Sequence, residues 1–139
     1  MTYDAVLLTG ILVLASAVVT LPIGVGLGPE AAGAVFRSPW FRWPFFLYWV
    51  AVLAGFHLWF WTHGGQTLGM KTWRIRVVRA DGAPIALRDA ALRYLAAALS
   101  LLPLGLGFWW ALVDPARLAW HDRLSGTRLV RDSSQSVAV

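Results

Sequence analysis

Two stretches of this chain carry no Asp, Glu, Lys or Arg: Ala5 to Pro29, and Trp43 to Met70, where His57 and His63 are the only side chains that can carry charge near neutral pH. Each exceeds the roughly 20 apolar residues with which an α-helix crosses a bilayer core. A chain so built is predicted to be an all-α integral membrane protein, because in hydrocarbon a helix satisfies every backbone polar group internally. Helix 1 is predicted from about Asp4 to Leu21, ended by Pro22 and the Gly24, Gly26, Gly28 series. Pro29 to Arg42 reads as a connection. Helix 2 is predicted from Trp43 to Trp61 and is rich in aromatic residues.

A third apolar segment, Ala90 to Val113, is broken at Pro103, Gly105 and Gly107. Proline removes a backbone donor and clashes with the preceding turn, and the two glycines loosen the chain further. The segment is expected to be a re-entrant or interfacial helical hairpin, with three full spans as the alternative. At 139 residues the chain is read as one membrane domain over residues 1–139, with 133–139 as a frayed tail.

Between His63 and Asp89 the pattern changes. Gly64, Gly65 and Gly69 mark a loop, after which Trp73, Ile75 and Val77 alternate with Arg74 and Arg76, the period of a strand. Asp81-Gly82 is a turn signal, with Ala83-Pro84-Ile85 as a candidate return strand. Gly126 to Val130 is a second β-like stretch. Neither strand is stable alone, so the two are expected to pair as a small cytoplasmic β-element.

That pairing bears on topology. If the third segment bends back, the basic residues of 71–88 and those of the C-terminal stretch share one face, while the loop after helix 1 holds only Arg37 and Arg42. The asymmetry favours cytoplasmic termini in a bacterial inner membrane. The first apolar run is too long for a signal-peptide core and is read as retained. Absence of cysteine excludes disulfides and thiolate chemistry. The net charge of +5 points to anionic lipid headgroups rather than to nucleic acid, given the apolar background.

Several segments together resemble the RDD family of small bacterial membrane proteins. These are Gly65-Gln66-Thr67-Leu68-Gly69-Met70-Lys71 leading into Arg76-Val77-Val78, Leu92-Arg93-Tyr94, Leu102-Pro103-Leu104-Gly105-Leu106-Gly107 and His121-Asp122-Arg123-Leu124-Ser125-Gly126-Thr127, with Tyr3-Asp4 at the head of helix 1. The resemblance implies that Asp4 and Asp122 stand at the family's two named Asp positions. The named Arg has no counterpart ahead of Asp4. The resemblance also implies transport of a small ligand, with proton-coupled cation exchange as its sharpest form.

Asp4, Asp122 and His57 are therefore the candidate ion- or proton-binding residues. For Asp122 the competing structural role is a turn cap or a pair with Arg93 or Arg76; for His57 it is a buried neutral ring bonded to a backbone carbonyl. Arg93, Arg123, His121 and Asp114 are read as charge-pairing or headgroup-contacting groups, Arg93 through a snorkelling side chain. Lys71, Arg74, Arg76 and Arg79 form a basic face toward the cytoplasm. Asp114, His121 and Asp122 lack a recognised metal-ligand spacing, so no metal is expected. Gly105-Leu106-Gly107 is no dinucleotide fingerprint, and no nucleophile elbow, HExxH or P-loop occurs, so no cofactor and no catalysis are expected. Two spans and a hairpin cannot enclose an aqueous path alone, so the chain is expected to form a homo-oligomer or to join a partner membrane protein. A non-transporting scaffold that binds a partner is the competing function.

Overall fold

The structure is a computed structural model that describes residues 2–132; the stretch 133–139, read above as a tail, lies outside the described residues. Its contacts divide it into two compact units, Thr2–Gly55 and the part from Phe56 onward. The description is mostly helical, with two helices long and apolar enough to cross a membrane and a sheet of two strands.

The first of those helices, α1, runs over Thr2–Leu27 and carries Pro22 inside it. It therefore outlasts the expected end at Leu21. Proline removes only one ladder bond, whereas ending the helix in hydrocarbon would strand several backbone groups at once. The end comes at Gly28, whose φ of 77° is open to glycine at little cost. Polar side chains along α1 are satisfied by the helix itself: Thr9, Ser16 and Thr20 donate to the carbonyls of Ala5, Leu12 and Ser16 at 2.8, 2.6 and 2.9 Å.

The expected connection is largely helical too. Helix α2, Pro29–Arg37, opens on a proline at its first position and places Glu30 near its start and Arg37 at its end, both favoured by the helix dipole. Ser38 separates it from α3, Pro39–Thr62, which begins before the expected Trp43 and accommodates Pro44 in its second turn. Within the first unit, the Tyr48 hydroxyl donates to the Ala15 carbonyl at 3.2 Å, and the Trp49 indole donates to the Ser16 hydroxyl at 3.0 Å.

In the second unit, Thr67 caps the short helix α4, Leu68–Thr72, by accepting from the Met70 amide at 3.3 Å. Strand β1 is Ile75–Arg79. It starts later than the alternation suggested: Lys71 lies in α4, Trp73 is its exposed C-cap, and Arg74 breaks the extended run with φ 51°. The return strand at Ala83-Pro84-Ile85 does not form. Asp81 instead accepts from the Ala83 amide at 2.9 Å, and Ile85 drops into a core with Met70, Val77 and Ala90.

Helices α5, Leu87–Leu101, and α6, Leu106–Val113, follow, and their axes differ by 98°. Leu104 and Gly105 make the corner with φ 54° and 79°. Gly107 lies so close to α5 that a Cβ there would come within 3.1 Å of the Ser100 Cα. Helix α7, Trp120–Ser125, packs against α5, and β2, Thr127–Arg131, pairs antiparallel with β1, Ile75 opposite Arg131 and Arg79 opposite Thr127. Gly65 locks α3 onto the sheet: its carbonyl accepts from the Val77 amide at 2.8 Å, and a Cβ at its φ of 73° would meet the Val77 oxygen at 2.6 Å.

Candidate functional site

The segment Leu87–Arg131 buries an unusual number of ionisable and hydroxyl groups together. Arg93, Asp122, His121, Ser125 and Thr127 are all less than a tenth exposed. Arg93 comes from the middle of α5, Asp122 and His121 from the first turn of α7, and Thr127 from the first residue of β2. Local chemistry explains the placement of Asp122. Ala119 precedes α7 and has no side chain to cap it, so Asp122, three residues on, accepts from the Ala119 amide through Oδ2 at 2.9 Å. The other oxygen, Oδ1, accepts from Arg93 Nη1 at 2.5 Å, and the same nitrogen donates to the Thr127 hydroxyl at 2.8 Å. Ser125 closes the network, donating to the His121 carbonyl at 2.5 Å and lying 2.6 Å from the Thr127 hydroxyl. The Arg93 guanidinium also sits over the Trp61 ring, 5.6 Å from its centroid.

Arg93 is thus turned inward onto a carboxylate, an indole and a hydroxyl, not outward to headgroups. The reason is energetic: a guanidinium with a buried charge-assisted partner has no gain in snorkelling. His121 lies with Nε2 3.7 Å from Asp122 Oδ1 and its ring 4.9 Å from that of Phe108, while its Nδ1 is buried without a partner among the described residues. Burial pushes its pKa below the usual imidazole value, the Arg93 charge adds to the effect, and Asp122 opposes it.

Asp114 and Arg123 form a second pair at the exit of α6. The Leu118 amide donates to Asp114 Oδ2 at 2.9 Å, and with the Arg123 guanidinium it holds the carboxyl below the usual carboxylate range against the opposing effect of burial. A third cluster was not singled out from the sequence. Asp132, buried just past β2, pairs with Arg76 at 3.0 Å and accepts from Gln66 at 3.1 Å, while Gln66 also donates to the Ile75 carbonyl at 2.9 Å. Gln66 stands in the glycine-rich motif, but Asp132 offers no periodicity or spacing that marks it.

The remaining candidates are dispersed. Asp4 lies in the first turn of α1, within Thr2–Gly55. His57 belongs to the other unit and sits among rings, with centroids 5.4 Å from Phe56, 5.3 Å from Trp61 and 5.8 Å from Tyr94. His63 stacks on Trp59 at 3.9 Å. Of the basic face, Arg79 pairs with Asp89 at 3.3 Å and Arg76 with Asp132; Lys71, Arg74 and Arg79 are exposed and Arg76 is half-buried. Among the described residues no three His, Asp or Glu side chains converge as a metal site.

Breaking the Arg93–Asp122 pair leaves a buried charge uncompensated. Asp122→Asn should cost about 3–5 kcal/mol, whereas the double replacement Arg93→Met with Asp122→Leu should recover most of that loss. Unfolding in detergent of the two variants beside the wild type measures both. The lowered affinity of His121 for a proton gives a second expectation. The unfolded chain takes up that proton first, so the contribution to stability is whole above the ordinary imidazole pKa of about 6.5 and is lost as pH falls through the lower folded value. Melting temperature should decline below that point in the wild type and decline less in His121→Gln.

No curated protein and no solved structure matches this chain. The model of the RDD family matches residues 1–126, so the chain belongs to the RDD family, whose members are membrane proteins.

Proposed function

We propose that this RDD-family member is a bacterial inner-membrane transport protein that moves a small ion or ligand in exchange with protons. The carrying observation is the buried set Arg93, His121 and Asp122, held next to a broken helix. Ionisable groups kept from water cost several kcal/mol each and are retained where they act. Helix breaks are also how many transporters present backbone dipoles to a substrate. In this reading the Arg93–Asp122 bond is the closed state of the site. Asp122 receives a cation only when Arg93 releases Oδ1, and a proton on His121, whose Nε2 lies 3.7 Å from that oxygen, competes with the cation for it, so that the two exclude one another. Asp4 is the second carboxylate of the pathway, and His57 is a relay candidate. The chain works as an oligomer or with a partner membrane protein, and it catalyses no reaction of its own.

The same reading makes α5 and α6 a re-entrant pair rather than a span. A straight 15-residue helix such as α5 is about 22 Å long. Were Leu87–Val113 a full crossing, α7 would emerge far from Arg93. Instead Asp122 is bonded to Arg93, and β2 lies on β1. With both strands on one face, the basic residues gather there, and the positive-inside rule makes that face and the termini cytoplasmic. Labelling from each side of the membrane should find Arg74→Cys and Arg128→Cys reactive from the cytoplasm and Ser38→Cys from the opposite face; reactivity of positions 74 and 128 from opposite faces rules the hairpin out.

One observation favours the second reading, a scaffold for a partner protein. Both oxygens of Asp122 are already satisfied, by Arg93 and by the Ala119 amide, so the carboxylate is as well suited to holding α5, α7 and β2 together. Proteoliposomes holding a pH dye distinguish the two. If the chain transports, adding Na⁺ or K⁺ should dissipate an imposed pH gradient, Arg93→Met with Asp122→Leu should lose that response, and His121→Gln should shift its pH dependence. Equal responses from wild type, the double variant and empty vesicles remove transport. Co-purification of a defined protein, lost in Lys71→Glu with Arg74→Glu, then supports the scaffold.

A further inference from the structure

The first unit contains a cavity of about 900 Å³ bounded by α1, α2 and α3. That is near the upper end of the roughly 300–1,000 Å³ typical of small-molecule sites. Six of its nine lining residues are aromatic. Phe36, Phe41 and Phe45 form a continuous run with successive centroids 5.2 Å apart, continued by Trp49 at 5.5 Å from Phe45. Arg42 is the single charged residue of the lining. Its guanidinium makes no ion pair or side-chain hydrogen bond among the described residues, and it lies between Trp40 and Trp43, both well exposed. Trp residues in such a position anchor at the level of the headgroups. An unpaired guanidinium there, beside an apolar volume, matches one kind of molecule end to end: a negatively charged head on a long hydrocarbon tail.

We propose that this cavity is a binding site for an anionic phospholipid, one acyl chain lying along the Phe36–Phe41–Phe45 wall and the phosphate held by Arg42. The planar fork of arginine donates to two phosphate oxygens at once and is weakly hydrated, which suits it to the membrane boundary better than an ammonium. The cavity is too apolar for a hydrophilic solute. Two of the helices that wall it are long and apolar enough to span a membrane, which puts it within reach of lipid. The site is separate from the Arg93–Asp122 network and independent of whether that network transports. It accounts for a basic residue near the start of α3, a helix with no other Asp, Glu, Lys or Arg.

Native mass spectrometry of the full chain in detergent, offered equal amounts of phosphatidylglycerol and phosphatidylcholine of the same chain length, tests this. The wild type should retain phosphatidylglycerol about fivefold over phosphatidylcholine, the discrimination that one arginine at a charged membrane surface supplies. Arg42→Gln should bring the ratio close to one, while Arg37→Gln, at the end of α2 and outside the lining, should leave it nearly unchanged. Thr20→Phe, which fills the cavity, should reduce retention of both lipids, with monodispersity and melting temperature reporting that the fold is kept. No preference in the wild type, or equal effects of the two arginine changes, overturns the site. So does a disulfide between two copies of Phe45→Cys formed in native membranes, since that shows a second copy of the chain in the cavity.

Discussion

The bond between Arg93 and Asp122 is the constraint on which the second half of this protein depends. It joins the middle of α5 to the start of α7, and through Thr127 it reaches β2 as well. Everything between Leu101 and Trp120 has therefore to leave α5 and come back to it. The tight corner at Leu104 and Gly105, the bare glycine facing Ser100 and the Asp114-capped turn are the geometry of that return. A buried ion pair is a poor source of net stability when set against an apolar replacement, but it is intolerant of misalignment. Here it specifies one register of α7 on α5 that apolar packing alone would leave loose. The aromatic surface of Trp61 over the guanidinium extends the same function to the end of α3.

Much of this was legible from residue order, and for identifiable reasons. Charge-free runs longer than a bilayer is thick have few structural alternatives, so both long helices were expected. Their ends were misplaced because proline was read by its behaviour in water. In lipid the carbonyl that Pro22 leaves unpaired costs less than a terminus would, and α1 continues for another turn and more. The segment after it is helical for a related reason: nine residues with Pro first, Glu second and Arg last make a serviceable short helix, a pattern too short for periodicity to reveal. Strand pairing was readable because two isolated β-like stretches need each other. Their register was not, since nothing in either stretch marks which residue faces which.

Among the site residues, a short motif made Asp122 and Arg93 conspicuous, and composition made them anomalous. Their mutual contact is a tertiary fact separated by a whole helix pair, beyond what spacing can carry. Asp132 and Gln66 show the reverse. Each is ordinary in sequence, and only the fold turns them into the lock that holds Arg76 and the Ile75 carbonyl. His57 and Asp4 drew notice as charges in apolar runs, and the fold gives them quieter surroundings: rings for one, a helix start for the other.

The order in which strands are made has a consequence for how this protein is born. β1 leaves the ribosome well before β2, and Ile75 must wait for Arg131. Until then the edge of β1 has no strand partner, and the guanidinium of Arg93 lacks Asp122 and Thr127. Insertion of the two long helices can proceed meanwhile, since each satisfies its own backbone. The sheet, by contrast, assembles late. A nascent chain halted short of residue 127 would be threaded into the bilayer yet lack its sheet, displaying a basic, unpaired strand at the membrane surface, the kind of edge that quality-control proteases and chaperones engage.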